Sequence, residues 1–238
     1  MEKGLSKEHS AISAMFNSIA GKYDLLNHLL SLGIDKGWRR KLVRGLKSSP
    51  AKVILDLACG TGDLTIALYK NGFTVTGADL SVNMLQIARQ KSEKLEKMEQ
   101  PIPDYIECSA ENLPFEDSSF DAVTISFGIR NFQNRDIALQ EIFRVLKPDG
   151  RLAILEFATP KNWVWRTLFN TYFSVILPVI GRMISKDTRA YRYLPESVKE
   201  FPQYETFCKE IERQGFNNID FKPLTGGVAV LYFAEKLG

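Results

Sequence analysis

The chain is poor in the residues that build metal centres and disulfide frameworks, with 3 cysteines and 2 histidines among 238 residues. Cys59, Cys108 and Cys208 are widely separated, and none belongs to a Cys-x-x-Cys pair. His9 and His28 have no partners at zinc spacing, and the carboxylates lack calcium-loop spacing, so no metal is expected. An odd number of dispersed thiols, with no basic and apolar leader at the start, fits a reducing cytoplasm. Net charge is also small. The balance of 31 Lys and Arg against 28 Asp and Glu gives +3, and the bases are interleaved with acids. Bulk electrostatics therefore require no nucleic acid, whereas a weakly anionic membrane surface stays open as a partner. Repeats and low-complexity tracts are absent, and 45% hydrophobic with 25% charged residues is ordinary globular composition. One domain over 1–238 is expected, with a helical cap over 1–50 and a helical insertion over 158–195.

What is present is a strand that ends in a glycine turn. The apolar run Val53-Ile54-Leu55-Asp56-Leu57 leads into Ala58-Cys59-Gly60-Thr61-Gly62-Asp63, after which a helical pattern begins. Glycines there give positive φ and let a ligand approach the backbone. The next run, Phe73 to Ala78, ends in Asp79, an acid at a strand tip where it can accept both hydroxyls of a ribose. Together these describe an adenosine site on an open α/β sheet. A dinucleotide fingerprint starting at Gly60 would need a small residue at position 65, which is Thr65, and Asp63 would face the pyrophosphate. The Asp-x-x-x-Gly-x-Gly pattern instead resembles the first motif of class I S-adenosylmethionine methyltransferases, whose cationic ligand suits Asp56 and Asp63. An ordinary strand-to-helix turn explains the glycines but not the spaced acids.

Periodicity extends this frame. Helical spacing of Ile12, Met15, Phe16 and Ile19 opens a helical region over 7–46. Strand 53–58, helix 63–71, strand 73–78, helix 82–96 capped by Ser81, and strand 104–108 follow. Next come strand 121–126, helix 135–146, a Lys147-Pro148-Asp149-Gly150 turn and strand 151–157. Helix 196–214 and strands 217–222 and 228–235 close the chain, the last two antiparallel across a short link at Gly226-Gly227. The predicted fold is α/β: a doubly wound, mostly parallel seven-stranded, Rossmann-like sheet with an antiparallel last strand, N-terminal helices and a helical insertion. Cys108-Ser109-Ala110-Glu111 lies at a strand end where backbone groups can read an adenine, so Ser109 and Ala110 join Asp56, Gly60, Thr61, Gly62, Asp79 and Ser126 as cofactor-binding candidates. Asp121, at a strand's start, points away from the ligand end and reads as structural. The aromatic stretch from Trp163 to Leu177, interrupted by Pro178 and flanked by Arg182 and Lys186, reads either as a lid at a lipid interface or as a helical hairpin packed on the core.

Three further stretches, Tyr23-Asp24-Leu25-Leu26-Asn27 with Ser31 and Trp38, Ser126-Phe127-Gly128-Ile129-Arg130-Asn131, and Arg144 to Leu152 through Glu156-Phe157, carry a nearly full-length resemblance to the quinone-biosynthesis C-methyltransferase family that makes menaquinone and ubiquinone. Asp35 stands where that family's first signature has His, Asp149 where Gly is commoner, and Ala158 where Ser is. The resemblance implies methyl transfer from S-adenosylmethionine to demethylmenaquinol, a 2-polyprenyl-1,4-naphthoquinol, by a cytoplasmic enzyme that can sit peripherally on the inner face of the cell membrane. A polyprenyl benzoquinol or another lipid-like acceptor, or a non-catalytic scaffold that only binds the donor, are the other readings.

The chemistry singles out four residues. Methyl transfer to carbon needs alignment and an electron-rich ring, and ionising a phenol of pKa about 10 at neutral pH costs about 4 kcal/mol. A permanent cation within ~4 to 6 Å favours the phenolate by ~1 to 3 pKa units, which makes Arg130 the candidate, with Asn131 orienting the ring oxygen. The proton then leaves through water, or towards Asp35 or Tyr23. Each has a plainer reading too: Arg130 paired with an acid such as Asp136, Tyr23 a core aromatic, Asp35 a helix cap.

Overall fold

A computed structural model describes residues 8–30, 33–47, 50–95, 98–172 and 189–238, with the side chains of 9, 19, 22–30 and 189–192 outside the description. The described elements run α1 (His9–Leu30), α2 (Asp35–Lys47), β1 (Val53–Leu57), α3 (Asp63–Tyr69), β2 (Thr74–Asp79), α4 (Val82–Ser92), β3 (Asp104–Glu107) and β4 (Phe120–Ser126). After a 3-10 turn at Ile129–Asn131 come α5 (Arg135–Val145), β5 (Leu146–Phe157), α6 (Trp163–Thr171), α7 (Arg189–Glu200), α8 (Glu205–Arg213), β6 (Asn217–Leu224) and β7 (Ala229–Glu235).

The seven strands form one sheet in the order β3-β2-β1-β4-β5-β7-β6, and β7 alone runs against the rest. This is the class I methyltransferase fold. β1 lies inside the sheet with parallel neighbours on both edges, and both its faces are covered, which is why its sequence reads as an almost unbroken apolar run. The pleat sends Leu55 and Leu57 into a core with Ala138, Leu139 and Ile142 of α5 and Phe207 and Ile211 of α8. Ile54 faces the other way, into a core with Trp38, Leu42 and Leu46 of α2 and Leu64 and Leu68 of α3. With a side-chain period of two, Asp56 falls on the α2 and α3 side. Asp121 has the structural part expected of it: its carboxylate accepts from the backbone N–H of Lys52 at 2.9 Å and Val53 at 2.8 Å and from Lys147 Nζ at 2.7 Å, tying the starts of β1 and β4 together.

The N-terminal helices expected over 7–46 are α1 and α2, with Gly33 between them at φ +73°. Several boundaries differ from the sequence reading. The expected helix over 196–214 is two, α7 and α8, separated at Pro202, which has no N–H for a continuing helix. α7 begins at Arg189, inside the stretch assigned to the insertion. β5 starts at Leu146, so the Lys147-to-Gly150 turn lies within the strand as a register shift opposite Phe120 and Ala122, with Asp149 at φ +61°. The last two strands are antiparallel as expected, but β7 inserts between β5 and β6. Of the aromatic stretch, α6 is described, whereas Pro178, Arg182 and Lys186, like Ser31, lie outside the described residues.

α1 crosses the carboxyl end of the sheet. Ser13 Oγ donates to Leu80 O at 3.2 Å, and Asn17 Oδ1 accepts from Ser81 Oγ at 2.6 Å and from Asn83 N at 3.2 Å. Ser81 in turn caps α4, its hydroxyl accepting from Met84 N at 3.3 Å.

Candidate active site

Among the described residues, two cavities open at the carboxyl tips of β1, β2 and β4. The larger, about 670 Å³, is walled by Ile12 and Phe16 of α1, Asp79, Met84, Ala110, Asn131 and Phe132. The smaller, about 380 Å³, lies on the α2 and α3 side among Arg39, Asp56, Thr61 and Asp63. Ala58, Gly60, Ser126 and Phe127 line both, so the two spaces share a wall built from the ends of β1 and β4.

Unusual backbone makes this wall. Ala58 and Phe127, neither a glycine, both hold positive φ, at +54° and +61°. Such conformations cost on the order of 1–3 kcal/mol each and gather at functional sites. The two strand ends approach so closely that a Cβ on Gly128 would sit 2.5 Å from Ala58 Cβ. Gly62, at φ +81°, begins α3, and a Cβ there would lie 2.9 Å from the Tyr105 hydroxyl. The glycine turn and the strand-tip acid, recognised separately in the sequence, are joined directly: Gly60 N–H donates to Asp79 Oδ2 at 2.8 Å, while Ser81 N–H donates to Oδ1 at 2.8 Å. Burial nevertheless raises the Asp79 pKa, outweighing the backbone N–H groups that lower it.

The other cofactor candidates divide. Thr61, buried, lines the smaller cavity, and its carbonyl and hydroxyl accept from Lys91 Nζ at 2.9 and 3.3 Å. Ala110 lines the larger cavity, but the Ser109 hydroxyl donates to Glu111 Oε2 at 2.5 Å instead. Asp56 reaches the smaller cavity from a buried position, bonded by the hydroxyls of Thr65 and Thr124 at 2.5 and 2.9 Å. Burial pushes its pKa up to about 6, against the pull of those two hydroxyls and of Arg39. Ser126 Oγ is buried at the shared wall with no hydrogen-bond partner among the described residues. Buried hydroxyls rarely go unpaired.

The catalytic candidates are rearranged more. Asn131 lines the larger cavity, and its Oδ1 accepts from the Tyr193 hydroxyl of α7 at 3.0 Å. Arg130, its neighbour, turns into the protein. Its Nη1 donates to Glu156 Oε1 and to Phe127 O, each at 2.6 Å, and its Nε donates to Ser197 Oγ at 3.3 Å. The guanidinium is thus buried against Glu156 rather than Asp136, and it does not line the larger cavity. Arg130 lines neither cavity, so its guanidinium is not presented to a ligand there. Asp35 is not placed as a proton acceptor either: it opens α2 and pairs with Arg39 Nη1 at 2.6 Å, lining neither cavity. Tyr23 lies on α1, and its side chain is outside the described residues.

Several residues of the site escape sequence reasoning. Ile12 and Phe16 were visible only as a helical stripe, with nothing local to say that α1 would lie over the larger cavity. Arg39 belongs to a basic run, Arg39, Arg40, Lys41 and Arg44, in which no member stands out before α2 is seated. Among the described residues no group of three or more His, Cys, Asp or Glu could hold a metal.

Residues 3–236 match the model of the ubiE/COQ5 methyltransferase family. A demethylmenaquinone methyltransferase of Chlorobaculum tepidum is 44% identical over 236 residues, 97% of this chain and 94% of that one. A ubiquinone/menaquinone biosynthesis C-methyltransferase UbiE of Geotalea daltonii is 42% identical over 235 residues, 98% of this chain and 99% of its own. Among solved structures, a SAM-dependent methyltransferase of Thermotoga maritima superposes with a TM-score of 0.65 over 94% of this chain and 99% of that one, at 17% identity, a likeness of fold alone.

Proposed function

The chain belongs to the ubiE/COQ5 methyltransferase family, and from that membership and the joined cavities we propose that it methylates a ring carbon of demethylmenaquinol, a 2-polyprenyl-1,4-naphthoquinol, using S-adenosylmethionine, to give menaquinol and S-adenosylhomocysteine. The observation that carries this reading is the pair of cavities sharing the wall that holds Ser126. Asp79 stands on one side, suited to a ribose, and a charged cluster of Arg39, Asp56 and Asp63 on the other, suited to an amino-acid headgroup. When bound, the donor supplies a methyl group already activated on a sulfonium.

The protein's residues then have to align and exclude water. Phe16, Phe127 and Phe132 supply apolar walls for a flat aromatic ring. Asn131, whose Oδ1 is occupied by Tyr193, keeps its amide N–H groups for a quinol oxygen, favouring the electron-rich form of the ring. Arg130 and Glu156 fix the turn that presents Asn131. The new C–C bond takes its electron pair from the ring, the C–S pair stays on sulfur, and the displaced ring proton leaves to water.

A benzoquinol of ubiquinone synthesis is the second reading, favoured by the name of the Geotalea relative. Purified protein given methyl-labelled S-adenosylmethionine and both reduced quinones side by side should label the naphthoquinol. Label in the benzoquinol alone would replace the acceptor, and donor binding without transfer to either would leave a scaffold.

Peripheral membrane contact belongs to the same reading. No helix among the described residues is long and apolar enough to cross a membrane. α6, however, presents Trp163 at 72% and Leu168 at 58% exposure, with Lys161 and Arg166 close by in sequence. Such a face suits an anionic lipid interface, where a polyprenyl tail of about 0.8 kcal/mol per buried methylene would reside.

A further inference from the structure

We propose that Arg39 anchors the carboxylate of the donor's amino-acid headgroup in the smaller cavity. The inference rests on the donor assignment above and deepens it. If Asp79 takes the ribose, the larger cavity continues across the Ala58, Gly60, Ser126 and Phe127 wall, among the described residues, into the smaller one. An S-adenosyl donor ends in an ammonium and a carboxylate, so that second space must meet both signs of charge.

The described lining does so. Asp56 and Asp63 offer negative charge, and Arg39 is the one lysine or arginine among the lining residues. Arg39 is buried at 8% exposure, and its ion pairs, to Asp35 at 2.6 Å and Asp63 at 3.4 Å, both run through Nη1. Among the described residues no hydrogen bond is made by its Nε or Nη2. A guanidinium carries five N–H donors in a planar fork that matches a carboxylate in two places at once. Arg39 therefore has binding capacity in reserve at a cavity wall, where Asp35, one turn earlier on α2, holds it in place. Lys91, the other cation of the cluster, is drawn away onto Asp63 at 2.7 Å and Thr61 and does not line the cavity. Among the described residues Asp35, Asp56 and Asp63 face Arg39 and Lys91 in this cluster. A donor whose headgroup is a zwitterion meets a partner for each of its charges there.

The test compares S-adenosylmethionine with its decarboxylated analogue, which keeps the nucleoside, sulfonium and ammonium. Calorimetric affinities are measured for the wild type, Arg39→Gln and Arg39→Lys. The wild type should favour the carboxylated donor by about 10- to 100-fold, as a hydrogen-bonded charge pair warrants. Arg39→Gln should bring that ratio close to one, by weakening the carboxylated ligand alone, and Arg39→Lys should fall between, since charge remains but the fork is lost. The ratio is internal to each variant, so a general loss of affinity does not alter it. Should Arg39→Gln fail to fold, Arg39→Lys, which can keep the pair with Asp35, decides. A ratio unchanged from wild type in the variant that folds would overturn the assignment to Arg39. A wild type that binds neither ligand would overturn the donor reading itself, and this inference with it.

Discussion

Asp56 shows how one residue can be found for one reason and work for another. Its place before the glycine turn marked it as a ligand for a cationic donor, yet its two oxygens are engaged by Thr65 and Thr124, and it meets the smaller cavity as a buried, partly shielded charge. Its pKa of about 6 in the folded protein exceeds the ordinary 3.8, so between roughly pH 4 and 6 the folded chain holds more proton here than the unfolded one. The stability it contributes is therefore complete below about pH 4 and declines as pH rises through 6. Asp56→Asn should remove that slope, and urea unfolding of both proteins at pH 4.5 and 7 should give a larger relative gain for the variant at pH 7. Affinity for the positively charged donor should move oppositely, strengthening in the wild type as pH rises through 6 and changing less in Asp56→Asn. Parallel pH profiles for the two proteins, in calorimetric titrations, would refute the link. Arg130 teaches the complementary lesson. Its residue type and loop position were legible, but its partner Glu156 lies 26 positions away on the end of β5, and only the pairing of β4 with β5 brings the two together.

Elements were legible where the chemistry is local. Glycines at positive φ, the Ser81 cap and an acid at a strand tip need no distant partner to be recognised, and β1, β2 and α4 begin where the sequence places them to within a residue. The split between α7 and α8 also carried a local signal in Pro202, but amphipathic spacing on both sides masked it. What no local pattern could supply was the seating of α1 over the larger cavity. Asn17 is central to that seating, since its carbonyl oxygen accepts from both Ser81 and Asn83 and its main-chain carbonyl accepts from Asn83 Nδ2 at 3.3 Å. Asn17→Ala removes two accepted bonds, together on the order of 1–3 kcal/mol. S-adenosylhomocysteine should then leave the variant roughly tenfold faster in stopped-flow displacement, with faster amide exchange in α1. Unchanged exchange and release would show that Ile12 and Phe16 hold the helix without it.

At the scale of the molecule, the proposed lipid contact rests on the exposed face of α6. Trp165 is less suited to lipid than its neighbour, because its indole lies against the 3-10 turn at Thr225–Gly227, where a Cβ on Gly226 would come within 2.3 Å of the ring. Trp163 and Leu168 are the freer pair. Replacing both with serine should lower sedimentation with anionic vesicles and raise KM for vesicle-borne quinol by roughly tenfold, while a short-tailed quinol is methylated as before. Equal effects on both substrates would argue for a packing role. The strand order has a consequence for biosynthesis. β6 leaves the ribosome before β7 yet touches the sheet only through it, and β5, which carries Glu156 between Leu155 and Phe157, keeps an open edge until Ala229 to Glu235 have been made. Until then the nascent chain carries a naked strand edge, which invites aggregation.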